Sequence, residues 1–146
     1  MSIKRPYELL VIDDNPADVD LVRHTVRRLG LPVHVSIARD AEGATAMVRE
    51  RVGISVQLPD LVLADLNLPG QSGLEMIAEW KTDPAARLVP IVVLSSSRNP
   101  AEVRETYRLG CAAFLKKPGN LSGYRELMQT LSAFWFGAVS LPSRPG

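Results

Sequence analysis

The chain has 146 residues, a formal net charge of +1, 46% hydrophobic residues and one cysteine. This length suits one globular domain, a single cysteine excludes an internal disulfide, and the near-neutral charge gives no sign of nucleic-acid binding. The apolar runs are too short to span a membrane, and residues 1–6 lack the apolar core of a signal peptide. We therefore expect a cytoplasmic protein.

Five short apolar runs, rich in branched residues, predict the strands of a parallel sheet. They are residues 9–12, 33–38, 61–64, 91–94 and 112–115. Continuous apolarity is typical of strands that are covered on both faces. The second run alternates with polar residues, which favours an edge position for it.

A helical pattern follows each run. The helices are predicted to begin at Pro16, at Asp40, at Ser72 or Gly73, at Asn99–Pro100 and at Asn120, and the last one to reach Trp135. This alternation predicts a doubly wound α/β fold, a five-stranded parallel sheet with five helices on its two faces. We expect the domain to cover residues 1–136, with 137–146 as a C-terminal tail and no output domain.

Polar side chains follow four of the predicted strands. They are Asp13 and Asp14 after the first strand, Asp65 after the third, Ser95 after the fourth, and Lys116 and Lys117 after the fifth. The carboxyl ends of parallel strands share one edge, so these groups should converge there. Three clustered carboxylates need a cation such as Mg²⁺, and a lysine supplies a fixed charge for an anion. The pattern predicts phosphoryl transfer to a carboxylate.

These residues stand in four motifs that resemble the CheY-like receiver domain of response regulators in two-component signalling. The motifs are Val11-Ile12-Asp13-Asp14-Asn15, Asp65-Leu66-Asn67-Leu68-Pro69 with Gly73, Val93-Leu94-Ser95, and Phe114-Leu115-Lys116-Lys117-Pro118. The resemblance implies a phosphorelay protein that accepts a phosphoryl group from a sensor histidine kinase. Such a protein catalyses its own phosphorylation and slow dephosphorylation, and it turns over no independent substrate.

The resemblance also implies a role for each matched residue. Asp65 is the phosphoacceptor, Lys117 contacts the phosphoryl group, and Ser95 and Phe114 form the switch. The Lys117–Pro118 bond is usually cis in this family, and an X–Pro bond tolerates this form better than other peptide bonds do.

The implied metal ion is Mg²⁺, and the resemblance assigns its ligands. Asp14 and Asp65 bind the ion directly, Asn67 contributes its backbone carbonyl, and Asp13 binds through water. These assignments agree with the oxygen ligands that Mg²⁺ prefers in proteins.

A narrower resemblance is to the stand-alone regulators that are paired with bacterial and cyanobacterial phytochromes. It rests on residues 12–18, on an extended gap at residues 51–59, and on the ending Phe134-Trp135-Phe136 with Leu141-Pro142. This resemblance implies a bacteriophytochrome as the kinase. The output would then be a protein contact, either with a target or with a downstream phosphotransfer protein.

The last predicted helix carries more apolar residues than one buried stripe needs. Leu131, Phe134, Trp135 and Phe136 are the candidate interface residues, and we expect a homodimer through this region because aromatic residues are enriched at interface cores. Packing of the C-terminal tail against these residues is the alternative.

Two other functions are considered. A degenerate receiver would act only as a binding module, but all the signature positions are intact. A phosphatase of the haloacid dehalogenase type would also use a strand-end aspartate, yet it needs an acid two residues further on, where Asn67 stands.

Overall fold

Five parallel strands form a single sheet in the computed structural model, which describes residues 5–53 and 58–144. The strands are β1 (Tyr7–Ile12), β2 (Val33–Ala38), β3 (Leu61–Ala64), β4 (Ile91–Ser95) and β5 (Ala113–Lys116). Their order in the sheet is β2-β1-β3-β4-β5, which places β2 at an edge as predicted. The strand order reverses between β1 and β3, where α/β sheets bind their ligands.

Five α-helices connect and follow the strands, so the predicted fold class is confirmed. They are α1 (Pro16–Leu29), α2 (Ala41–Gly53), α3 (Gly73–Trp80), α4 (Pro100–Arg108) and α5 (Leu121–Ala133). A 3₁₀ turn lies at Ala86–Leu88. The last helix is shorter than predicted, because the chain widens into a π-helical turn at Phe134–Ala138. Residues 54–57, within the extended gap noted above, lie outside the described residues.

The helices begin where the capping residues predict. The side chain of Asn15 accepts hydrogen bonds from the backbone of Ala17 at 2.9 Å and Asp18 at 3.4 Å. Ser72 and Glu75 form a capping box at the start of α3. Such caps satisfy backbone N–H groups that the first helical turn leaves free, and they fix the angle at which each helix leaves the sheet.

Two apolar clusters hold the helices on opposite faces of the sheet. Side chains alternate between the faces along each strand, so Leu10 and Ile12 belong to one cluster and Leu9 and Val11 to the other. The first cluster includes the buried Trp80 of α3. The second includes residues of α1 and α5, the helices that flank the candidate site. Within the described ranges, no helix is long and apolar enough to cross a membrane.

The predicted C-terminal tail packs against the domain as far as Arg144. The Arg144 guanidinium contacts the buried carboxylate of Asp60, with Nε 3.0 Å from Oδ1. The same group lies 4.4 Å above the Tyr7 ring. Tyr7 in turn stacks on Phe136, with ring centroids 4.7 Å apart. Leu141 is buried as well. The tail therefore covers the end of the sheet opposite the carboxyl ends of the strands.

Candidate functional site

Three carboxylates meet at the carboxyl edge of the sheet. Asp13 and Asp14 follow β1, and Asp65 follows β3, which is hydrogen-bonded to β1. One oxygen from each lies within 4.8 Å of the others. Asp13 and Asp65 are buried, whereas Asp14 is exposed. The structure thus brings together the three acids that the sequence predicted.

Backbone groups hold the two buried carboxylates in place. The backbone N–H of Asp65 donates to the carbonyl of Ile12 at 2.9 Å, which extends the β1–β3 pairing to the site. The Oδ1 atom of Asp65 accepts from the backbone of Asn67 at 3.1 Å. In the same way, Oδ1 of Asp13 accepts from the backbone of Asn15 at 2.9 Å. Each aspartate thus has its second oxygen available for other partners.

The ammonium of Lys117 occupies the centre of this acidic group. Its Nζ atom lies 2.8 Å from Oδ2 of Asp65, 2.9 Å from Oδ2 of Asp13 and 2.9 Å from Oδ2 of Asp18. The backbone N–H of Lys117 donates to the carbonyl of Ser95 at 2.8 Å, which anchors the lysine to the end of β4. An ammonium has three N–H donors, so these three carboxylates can use all of them.

The electrostatics of the site follow from burial and from these contacts. Burial raises the pKa of Asp13, although the backbone N–H of Asn15 and the Lys117 ammonium oppose the shift. Burial alone would lower the pKa of Lys117. Hydrogen bonds to the carboxylates of Asp65, Asp13 and Asp18 outweigh this effect and raise the pKa. Lys117 therefore keeps its charge at neutral pH, as a group that contacts anions must.

The acidic group fits a hard divalent cation. Asp13, Asp14 and Asp65 offer oxygen ligands within reach of one another, and such ligands suit Mg²⁺. The ammonium of Lys117 faces more carboxylates than it can neutralise. Mutual repulsion of these carboxylates favours a further cation beside them.

The two predicted switch residues lie on neighbouring strands. Ser95 is fully buried at the end of β4, and its hydroxyl accepts from the backbone of Ser97 at 3.2 Å. Phe114 is half-buried in β5 and pairs in register with Val93 of β4. Ser95 therefore stands at the edge that carries the carboxylates, with Phe114 further back along the neighbouring strand.

The loop after β5 differs from the prediction in one respect. The described residues contain no cis peptide bond, so the cis form predicted for Lys117–Pro118 is wrong for this structure. The loop is nevertheless tightly packed. A Cβ atom on Gly123 of α5 would lie 2.6 Å from Cβ of Pro118, so a larger residue than glycine would force the two segments apart.

Sequence reasoning did not identify Asp18 and Tyr124 as site residues. Asp18 contacts Lys117, and its Oδ1 atom accepts a hydrogen bond from the Tyr124 hydroxyl at 2.9 Å. An acid in the first turn of a helix is already explained by the helix dipole. The one available signal is the position of Asp18, four residues after Asp14 in the sequence.

The structure divides the predicted interface residues into two groups. Leu131 and Phe136 are buried within the chain itself, although Leu131 also lies at the wall of the groove described below. Phe134 is 55% exposed, and it meets Trp135 edge to face, with ring centroids 5.4 Å apart. Both line an apolar groove of about 470 Å³ between β5 and α5.

Comparison with known proteins agrees with this geometry. The family model of the response regulator receiver domain matches residues 9–131. Response regulator Rcp1 of Synechocystis is 32% identical over 139 residues, which cover 94% of this chain and 95% of Rcp1. The crystal structure of its Mn²⁺-bound form superposes with a TM-score of 0.83 at 33% identity, covering 94% of this chain and 99% of that one.

Two further solved structures are similar. One is the phosphorylated cyanobacterial phytochrome response regulator RcpA, with a TM-score of 0.86 at 33% identity over 94% of this chain and 99% of RcpA. The other is the bacteriophytochrome response regulator AtBRR, with a TM-score of 0.71 at 30% identity over 95% and 99% of the two chains. With the fold and the acidic site, these matches show that the chain belongs to the response regulator receiver domain family.

Proposed function

We propose that this protein accepts a phosphoryl group on Asp65 from the phosphohistidine of a sensor kinase and signals through protein contacts. The observation that carries the proposal is the position of Asp65. Its Oδ2 atom lies 2.8 Å from the Lys117 ammonium, and its carboxylate belongs to a group of three that fits a divalent cation. A nucleophile beside fixed positive charge is what phosphoryl transfer requires.

In the transfer step, a carboxylate oxygen of Asp65 attacks the phosphorus. A P–O bond forms while the P–N bond of the phosphohistidine breaks, and the electron pair of that bond returns to the imidazole nitrogen. The Lys117 ammonium neutralises charge on the phosphoryl oxygens. The backbone N–H of Asn67 holds the other oxygen of Asp65 and so orients the attacking one.

Mg²⁺ would be held by Asp14, Asp65 and the backbone carbonyl of Asn67, with Asp13 contributing through water. When bound, the ion supplies positive charge that stabilises the transferred phosphoryl group. The exposure of Asp14 supports this assignment, because Mg²⁺ retains several waters and needs an open side.

Ser95 and Phe114 are proposed to convert the new charge into a conformational change. The Ser95 hydroxyl would turn toward phospho-Asp65, and Phe114 would fill the space that it leaves. New phosphoryl contacts would thereby shift the population between two packings of β5 and α4. The burial of Ser95 supports this role, since a buried hydroxyl cannot move without changing its neighbours.

The proposed kinase is a bacteriophytochrome. RcpA is a cyanobacterial phytochrome response regulator, AtBRR is a bacteriophytochrome response regulator, and both match nearly the whole chain.

The experiment that tests the function begins with the protein, Mg²⁺ and acetyl phosphate. We expect the intact mass to rise by one phosphoryl group, the label to map to Asp65, and a chelator to prevent both. Label on another residue, or a phosphorylation rate that the chelator does not change, would contradict the proposal.

The exposed Phe134, with the half-buried Trp135 beside it, supports a homodimer through the C-terminal region. Phe134 stands beside the apolar groove, and a twofold pair would bury the same patch on both subunits. We expect sedimentation velocity to show a dimer for the native chain and a shift toward monomer for Phe134→Ser. Leu88→Ser is the matched control, because Leu88 is 53% exposed on another surface. A monomeric native chain, with or without phosphorylation, would contradict the homodimer.

A further inference from the structure

The Lys117 ammonium has one carboxylate partner that belongs neither to the proposed metal site nor to the phosphoacceptor. This partner is Asp18, in the first turn of α1, whose Oδ2 atom lies 2.9 Å from Nζ. The Asp18 side chain is 18% exposed, so the contact is largely shielded from water. Shielding strengthens an ion pair relative to one at the surface.

A buried tyrosine fixes the other side of Asp18. The Tyr124 hydroxyl donates to Oδ1 of Asp18 at 2.9 Å, so the two oxygens of this carboxylate have separate partners. Tyr124 is fully buried in the apolar cluster between the sheet and α5. Burial and the Asp18 carboxylate both raise the pKa of its hydroxyl, which therefore stays a donor at neutral pH. A rigid ring thus holds Asp18 against α5.

The partners of Lys117 differ in what a bound cation would do to them. Asp13 and Asp65 belong to the carboxylate group that fits Mg²⁺, and Asp65 must also react. Asp18 has neither task, so it can stay on the ammonium throughout the transfer. We infer that Asp18, held by the Tyr124 hydroxyl, is a positioning residue that keeps the Lys117 ammonium beside Asp65. This inference rests on the proposed function.

A double-mutant cycle tests the inference. Tyr124→Phe removes only the hydroxyl, and Asp18→Ala removes the carboxylate. We expect each variant to be phosphorylated by acetyl phosphate roughly fivefold more slowly, because small displacements of a charged group reduce transfer rates steeply. The double variant should be no slower than Asp18→Ala alone, since the tyrosine acts through the aspartate. The Mg²⁺ concentration that gives half the maximal rate should stay unchanged.

Tyr7→Phe is the matched control, because Tyr7 lies at the opposite end of β1 and its ring packing does not need the hydroxyl. It should be phosphorylated at the native rate. If the native protein is not phosphorylated, the proposed function fails. If the native protein reacts but Tyr124→Phe or Asp18→Ala matches its rate, the inference alone fails. The inference would also be overturned if the two reductions in phosphorylation rate multiply in the double variant. A change in the Mg²⁺ concentration that gives half the maximal rate would overturn it as well.

Discussion

Replacing Asp65 by asparagine is expected to abolish phosphorylation by acetyl phosphate while the fold survives. An amide is too weak a nucleophile to attack phosphorus, although it nearly keeps the shape of the carboxylate. Lys117 retains Asp13 and Asp18 as partners in this variant. In the absence of metal, we expect the thermal midpoint to be equal to or higher than that of the native chain. The reason is that one of several mutually repelling charges has been removed.

Two measurements separate the loss of reaction from the loss of structure. Intact-mass analysis after incubation with Mg²⁺ and acetyl phosphate reports the label, and thermal unfolding in a chelator reports stability. Asp20→Asn is the matched control, because Asp20 is an exposed acid on α1 away from the carboxylate group. The control should be labelled at the native rate. Unchanged labelling of Asp65→Asn would remove Asp65 as the acceptor.

The carboxylate group could be predicted because a parallel sheet makes strand ends meet. Asp13, Asp65 and Lys117 are far apart in sequence, but each directly follows a strand of the sheet. The direction of parallel strands alone brings such residues to one edge, whatever the details of packing. A pattern of short apolar runs was therefore enough to place the reactive residues together.

The contacts of Asp18 and Tyr124 could not be predicted in this way. They are 106 residues apart and lie on two helices. Whether they meet depends on how α1 and α5 are rotated about their axes, which side-chain packing decides. The periodic pattern of α5 does place Tyr124 on the buried face, but it does not reveal what the hydroxyl contacts.

The C-terminal aromatic segment was only partly predictable. Its apolar surplus indicated burial beyond one stripe, and part of that surplus is used within the chain, where Phe136 stacks on Tyr7. The segment after it has no helical or strand period, so nothing in the sequence pointed to Arg144 as the partner of Asp60. A buried carboxylate requires such a partner, and here a tail residue provides it.

Gly73→Ala is expected to destabilise the protein and to disturb Asp65 at the same time. Gly73 begins α3, and its backbone N–H donates to the carbonyl of Leu66 at 2.9 Å. A Cβ atom at this position would lie 2.5 Å from the carbonyl oxygen of Asp65 and 2.7 Å from Cα of Leu66. Both neighbours are backbone atoms, so the loop that carries Asp65 must shift as a whole to relieve the overlap.

Overpacking of this kind costs about 3 kcal/mol in the free energy of unfolding, and the displaced acceptor should slow phosphorylation by about tenfold. Urea unfolding measures the first effect, and intact-mass kinetics with acetyl phosphate measure the second. Gly119→Ala is the matched control, since a Cβ atom on Gly119 would meet nothing within 4 Å. The control should unfold at nearly the native urea concentration. If Gly73→Ala matched the control in both measurements, the close approach of α3 to Asp65 would not constrain the site.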